Sequence, residues 1–206
     1  MIMMTVLCII LGYLLGSIPF ALVIGKLFYK TDIRQYGSGN LGGTNAGRVL
    51  GKKAGISVIV LDVLKVVLAA GLASLVSEPA AIWTSLACCI GHCYPIFAHF
   101  KGGKAVTTMF GFLISTSIFI FQEFSYFLVP LFMFLIILYL FKYVSLGSIC
   151  ASVCSSLYIT AQLLSLDVNN LFIILASWLM TLLVIYRHNA NIKRIQEGTE
   201  NKVSWL

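Results

Sequence analysis

Charge is what this sequence has least of. Fourteen basic and seven acidic residues among 206 leave 10% of the chain charged against 60% hydrophobic, too little polar material for a water-soluble domain of this size. Linkers and low-complexity tracts are missing too, and no repeat is visible by eye. One polytopic membrane domain, residues 1–206, is therefore expected. The six cysteines (Cys8, Cys88, Cys89, Cys93, Cys150, Cys154) all fall in apolar runs, where a thiol behaves as a small hydrophobe. Neither the Cys89 to Cys93 nor the Cys150 to Cys154 spacing is that of a zinc or redox site, so no metal and no cofactor is expected. The amino end lacks a basic start and a small-residue cleavage site and reads as a retained span. No basic patch is interleaved with exposed aromatics, which argues against a nucleic-acid partner.

What the chain does have is seven apolar runs, at about 2 to 25, 56 to 76, 80 to 98, 105 to 121, 125 to 141, 144 to 164 and 171 to 186. Each approaches the ~20 residues that cross a bilayer as a helix, although three are short. The expectation is an all-α integral membrane fold with seven transmembrane helices. The alternative is five spans, with 105 to 121 and 125 to 141 forming a re-entrant pair. If the spans alternate, thirteen of the fourteen cations fall on one side and only Glu78, Glu123 and Asp167 on the other. By the positive-inside rule the amino terminus is outside and the carboxyl terminus is cytoplasmic. Alternation also brings the polar segments 26–55, 91–104 and 187–202 to one membrane face, where function is to be sought.

Within the apolar runs, Gly12 and Gly16 make a GxxxG motif that admits a close helix neighbour, and Pro19 can bend the first span. Asp62 and Lys65, three residues apart on one helical face, can pair and so lower the cost of two charges near hydrocarbon. A structural pair is the plain reading; a direct substrate contact by Lys65 is the other.

The first polar segment carries Ser38-Gly39-Asn40-Leu41-Gly42-Gly43-Thr44-Asn45-Ala46-Gly47-Arg48. Gly39, Gly42 and Gly43 let backbone N–H groups converge on an oxyanion, while Ser38, Asn40, Thr44 and Asn45 add donors. Arg48 adds a planar fork suited to phosphate. The second segment runs from Gly91-His92 to Lys101-Gly102-Gly103-Lys104-Ala105, where two ammonium groups flank backbone donors at the expected start of a helix. It is no Walker A loop, because Ala105 stands where Ser or Thr is needed. In the third segment, His188 and Asn191 share a helical face, and His188 can position or deprotonate an alcohol near neutral pH.

At these residues the chain resembles the bacterial acyl-phosphate:glycerol-3-phosphate acyltransferases, integral membrane enzymes of phospholipid synthesis. Four blocks match in order: Gly16-Ser17-Ile18-Pro19 with Lys26; Ser38 to Arg48; Gly91-His92 through Lys104; and His188 through Glu200. Two departures stand out. Gly43 replaces the family's usual alanine, and Ala105 its usual glycine. The resemblance implies transfer of a fatty acyl group from acyl phosphate to the 1-hydroxyl of glycerol 3-phosphate, giving lysophosphatidic acid and inorganic phosphate at the cytoplasmic face of the bacterial inner membrane. It assigns Ser38, Arg48, Lys104, His188 and Asn191 to the reaction. Gly39, Asn40, Gly42, Gly43, Thr44, Asn45, Gly102 and Gly103 are expected at the phosphates.

Acyl phosphate is already activated, so neither an acyl-enzyme nor a metal is chemically required, and the chain has no GxSxG elbow and no HxxxxD motif. Besides the two substrates and the bilayer, no obligate protein partner is inferred. A transporter of phosphorylated solutes also needs cations and glycine-broken helices, but its signature is paired discontinuous segments in corresponding halves. A CDP-alcohol phosphotransferase needs an aspartate cluster around a metal, whereas Asp32, Asp62 and Asp167 are scattered.

Overall fold

The computed structural model describes residues 1–165 and 170–203, and every regular element among them is helical. Asp167, assigned above to the outer side, lies outside the described residues. The chain forms two compact units, Met1–Ser115 and Thr116–Leu206.

In the first unit the opening apolar run is broken into α1 (Ile2–Gly16) and α2 (Phe20–Tyr29). Pro19 is the reason. It has no N–H to continue the ladder, and the Leu22 and Val23 N–H groups both bond its carbonyl, at 2.9 and 3.0 Å, so the helix restarts there. The Ile18 carbonyl is left outside the helical ladder, accepting locally only from the Phe20 N–H at 3.1 Å. A loop with a 3₁₀ turn at Ile33–Gln35 leads to α3 (Gly43–Leu50), then α4 (Lys52–Ser74), α5 (Glu78–Cys93), a second 3₁₀ turn at Ile96–Ala98 and α6 (Val106–Thr116).

The GxxxG motif of α1 lies against α5. A methyl group on Gly12 would sit 2.6 Å from Thr84 Cγ2, and one on Gly16 would run into the Cys88 carbonyl. Close backbone approach of this kind replaces the hydrophobic drive that helices lack in lipid. The Tyr13 hydroxyl donates to the Tyr94 carbonyl at 2.9 Å and the Cys89 thiol to that of Thr108 at 3.3 Å, tying α5 to α1 and to α6.

The second unit contains a π turn (Ser117–Phe121), α7 (Ser125–Phe141), α8 (Val144–Ser165), α9 (Leu171–Arg187) and α10 (Asn189–Gln196). Its interior sets small hydroxyl side chains among apolar ones such as Ile159, Leu163, Ile173 and Met180. Ser152, Ser156, Ser177 and Thr181 are buried between α8 and α9. There the Ser156 hydroxyl donates to the Ser177 carbonyl at 2.8 Å and the Thr181 hydroxyl to the Ser152 carbonyl at 2.7 Å. Leu171, Leu175, Leu179 and Leu182 point outward, as befits a helix whose solvent is hydrocarbon.

All seven apolar runs are thus helical, in an integral membrane fold. Among the described residues, four stretches are long and apolar enough to cross a bilayer: Ile2–Tyr29, Lys52–Ser74, Glu78–Ala98 and Val144–Ser165. Leu171–Arg187 and Asn189–Gln196 meet the same test only when joined across a 56° bend, as a broken span or a re-entrant loop, while Val106–Phe121 and Ser125–Phe141 are shorter.

Candidate active site

The Ser38 to Arg48 loop is built around Asn45. Ahead of it, Asp32 caps the 3₁₀ turn by accepting the Arg34 N–H at 3.1 Å and grips the Arg34 guanidinium with both carboxylate oxygens. The hydrogen bond from the Arg34 side chain holds the Asp32 carboxyl down at about 2. Gly37 and Gly39 then turn the chain with φ of 60° and 67°, where a side chain would be strained. Asn45, in the first turn of α3 and 2% exposed, closes the loop. Its Oδ1 accepts the Ser38 N–H at 2.9 Å and its Nδ2 donates to the carbonyls of Ile33 and Tyr36, both at 3.3 Å.

This frame sorts the expected site residues. The Ser38, Thr44 and Arg48 side chains lie at exposed positions, and Thr44 and Arg48, four residues apart, share one face of α3. Gly39, Asn40 and Gly42 are half-buried, with Gly42 capping the helix. Gly43 and Asn45 turn inward. A methyl group on Gly43 would lie 3.1 Å from the Gly55 carbonyl, and one on Gly55 would come within 2.7 Å of the Gly47 Cα. These glycines let α3 lie on α4, a packing duty that composition alone does not distinguish from anion binding.

The lysine turn is seated on His92. Gly102 and Gly103 are buried and Lys104 is half-buried. The Gly103 N–H donates to the His92 carbonyl at 2.9 Å, so that donor shapes the turn. A side chain on Gly103 would collide with the His92 ring at Nε2, and one on Gly102 with the His92 carbonyl. Ala105 follows with φ of 61°, and its carbonyl accepts from Met109, starting α6 two residues past Lys104. Ala105 thus holds a left-handed conformation that disfavours alanine.

Beneath the turn, the Lys65 ammonium lies 2.7 Å from Asp62 Oδ1, 3.2 Å from His92 Nδ1 and 3.1 Å from the Ile18 carbonyl. Asp62, Lys65 and His92 are 1%, 2% and 4% exposed. Asp62 and Lys65 were legible in the sequence as a pair. The third member was not, because nothing local connects His92 to a helix 27 positions earlier.

In the second unit the break between α9 and α10 falls on His188, which is buried. Its Nδ1 is 2.7 Å from the Val184 carbonyl. A carbonyl only accepts, so Nδ1 carries the proton and Nε2 is the ring's acceptor in the neutral form. Asn191 is one turn on, and its Nδ2 donates to Glu200 Oε1 at 2.6 Å. Ser145 of α8 donates to the same oxygen at 2.7 Å, and Arg194 Nε to Glu200 Oε2 at 2.7 Å. Burial alone would push the Glu200 carboxyl up. The bonds from Asn191, Ser145 and Arg194 outweigh it and hold the group below its ordinary value. The hub position of Glu200 and the role of Ser145 were missed from sequence. The available signal was an acid two residues past Gly198, just beyond the end of α10.

The comparisons with known proteins bear on the whole of this arrangement. The family profile described as Glycerol-3-phosphate acyltransferase matches residues 6–198. A glycerol-3-phosphate acyltransferase of Geobacillus kaustophilus (strain HTA426) is 45% identical over 203 residues, covering 98% of both chains. One of Bacillus subtilis (strain 168) is 45% identical over 205 residues, covering 99% of this chain and 100% of its own. Among solved structures, PlsY (YgiH), described as an integral membrane glycerol 3-phosphate acyltransferase, superposes in its glycerol 3-phosphate form with a TM-score of 0.86. That match is 36% identical and covers 97% of this chain and 96% of the other. Its lysophosphatidic acid form gives a TM-score of 0.83 at 36% identity, covering 97% and 95%. Near full-length identity, a matching fold and an intact set of polar segments agree: the chain belongs to the glycerol-3-phosphate acyltransferases, as an integral membrane acyltransferase of the PlsY family.

Proposed function

We propose that this acyltransferase takes its acyl group from acyl phosphate and passes it directly to the 1-hydroxyl of glycerol 3-phosphate. The hydroxyl oxygen attacks the acyl carbon, the bond from that carbon to the phosphate oxygen breaks, and the departing phosphate takes the hydroxyl proton. The products are lysophosphatidic acid and inorganic phosphate. The observation that carries this reading is the loop around Asn45. Its backbone is closed on itself, so the hydroxyls of Ser38 and Thr44 and the guanidinium of Arg48 are presented outward on a rigid frame. Such preorganised donors hold phosphate without reorganisation during the reaction.

Both substrates carry about two negative charges near neutral pH, like other phosphate monoesters. Arg48 and Lys104 offset their repulsion. Ser38 is a phosphate donor, not a nucleophile. Asn45 and Gly43 hold the loop, while Gly39, Asn40, Gly42 and Thr44 face the phosphates and Gly102 and Gly103 carry Lys104. His188, its tautomer set by Val184, and Asn191, oriented by Glu200, position the alcohol. The crystallised relative's glycerol 3-phosphate and lysophosphatidic acid forms support this acceptor and product. The charge asymmetry of the sequence supports seven spans with both sets of residues at the cytoplasmic face of a bacterial inner membrane.

The test is to give the purified protein radiolabelled glycerol 3-phosphate with acyl phosphate, acyl-CoA or acyl carrier protein. Labelled lysophosphatidic acid is expected only with acyl phosphate; product from either thioester overturns the donor assignment. Uptake of solute without product would point to a transporter. A trapped acyl-Ser38 would overturn direct attack, and labelling of cysteines placed at 40, 102 and 193 only from outside the cell would overturn the topology.

A further inference from the structure

We propose that Asp62, Lys65 and His92 are positioning residues for the reaction: a buried assembly that sets the shape of the 101–104 turn and thereby the place of the Lys104 ammonium group. This rests on the phosphate-holding role of Lys104 given above.

An ammonium has three N–H donors, and Lys65 has three acceptors around it: Asp62 on its own helix, His92 on α5 and the Ile18 carbonyl at the Pro19 break. Its position is therefore determined from three separate elements. With two hydrogen bonds and an ion pair made and its surface 2% exposed, Lys65 is badly placed to touch a substrate. A pair needed only to neutralise itself would be complete with Asp62 alone.

The third contact gives the arrangement a direction. Lys65 only donates, so in the neutral ring His92 Nδ1 accepts and the proton sits on Nε2. The 3.5 Å between Nδ1 and Asp62 Oδ1 is too long for a competing hydrogen bond. The Nε2 edge of this pinned ring fills the volume that a side chain on Gly103 would need, and the His92 carbonyl holds the Gly103 N–H. The turn thus rests on His92 through both its ring and its backbone, one residue from Lys104. The chain breaks at Pro19, carries charge inside α4 and places two glycines at 102 and 103, and these three features are joined through Lys65 and His92.

The variant Asp62→Asn/Lys65→Met removes both charges together and leaves no lone buried charge. His92→Asn keeps an acceptor for Lys65 and removes the ring beneath Gly103. Steady-state kinetics would be measured for each purified protein with each substrate varied in turn, alongside its unfolding temperature. Because a phosphate contact by an ammonium is worth a factor of about ten or more and its loss from ground and transition state alike appears in KM, KM for at least one phosphate-bearing substrate is expected to rise by about tenfold or more. In the same variants kcat should stay within about threefold, with unfolding temperature within a few degrees of the parent, a split that loss of fold does not produce. KM values within about twofold of the parent in both variants, or a loss confined to kcat, would overturn the inference. Lys104→Ala is measured in parallel. If it too is unchanged, the phosphate role of Lys104 fails; if it is impaired while the cluster variants are not, only the positioning role fails.

Discussion

The two glycine-rich segments of the first unit have similar compositions and opposite constructions. In the Ser38 to Arg48 loop the buried polar side chain is a neutral amide, Asn45, and the side chains suited to phosphate stand outside it. In the Lys101 to Lys104 turn the glycines themselves are buried, and what lies beneath is a cluster of ionisable groups. An amide can satisfy a loop backbone at little electrostatic cost. A buried ion pair carries a desolvation penalty that its partners must offset. Glycine in a polar segment therefore reports two things, a backbone that turns and a backbone that packs, and only the surroundings tell them apart.

The comparison is sharpened first at Lys65. Lys65→Met leaves Asp62 as an unpaired buried charge and is expected to cost about 3–5 kcal/mol, whereas Asp62→Asn/Lys65→Met should cost far less. Thermal unfolding in detergent reads both, and a double variant as unstable as the single would show that the charges are not coupled. Asn45→Ala, which releases three hydrogen bonds of the loop, should cost about 1–3 kcal/mol and lower turnover. Thr44→Ala, on the exposed face, should leave unfolding unchanged and act only on KM. Equal unfolding midpoints for the two would break the division into frame and presented donors.

A smaller effect is expected at Ala105. Its left-handed backbone costs about 1–2 kcal/mol, so Ala105→Gly should stabilise the protein by about 1 kcal/mol after the added flexibility of the unfolded chain. An unchanged or lower unfolding temperature would argue against that conformation. The smallest concerns acid. Asp32 is held at about 2 against an ordinary 3.8, so its contribution is complete above 3.8 and is lost as pH falls through about 2. Asp32→Asn should remove that part of the acid dependence, seen as a flatter unfolding temperature between pH 4 and 2, approximately the interval between the two values.

Much of the fold was legible because membrane helices are written in local terms. Each of the seven apolar runs is helical, Pro19 does break the first, and Gly12 and Gly16 do admit a neighbour. That the neighbour is α5 was not legible, since GxxxG states that a backbone can approach without naming which. The site was legible to a similar depth. Arg48, Thr44 and Ser38 are exposed as a binding loop requires, while the inward duties of Asn45, Gly43 and Gly103 look the same in sequence as outward ones. Glu200, which gathers Asn191, Ser145 and Arg194, draws on residues up to 55 positions away, beyond any local pattern.

The sequence by itself determined the solvent of this protein, its helical character, its family and the inventory of side chains suited to phosphate, because hydropathy, helix breaking and motif order act over short stretches of chain. Only the tertiary structure decided which donors face outward, which glycines carry packing, and that Lys65 ends at His92 and the Ile18 carbonyl. Those outcomes depend on burial and on three-element contacts, and a buried charge takes whichever acceptors the fold brings to it.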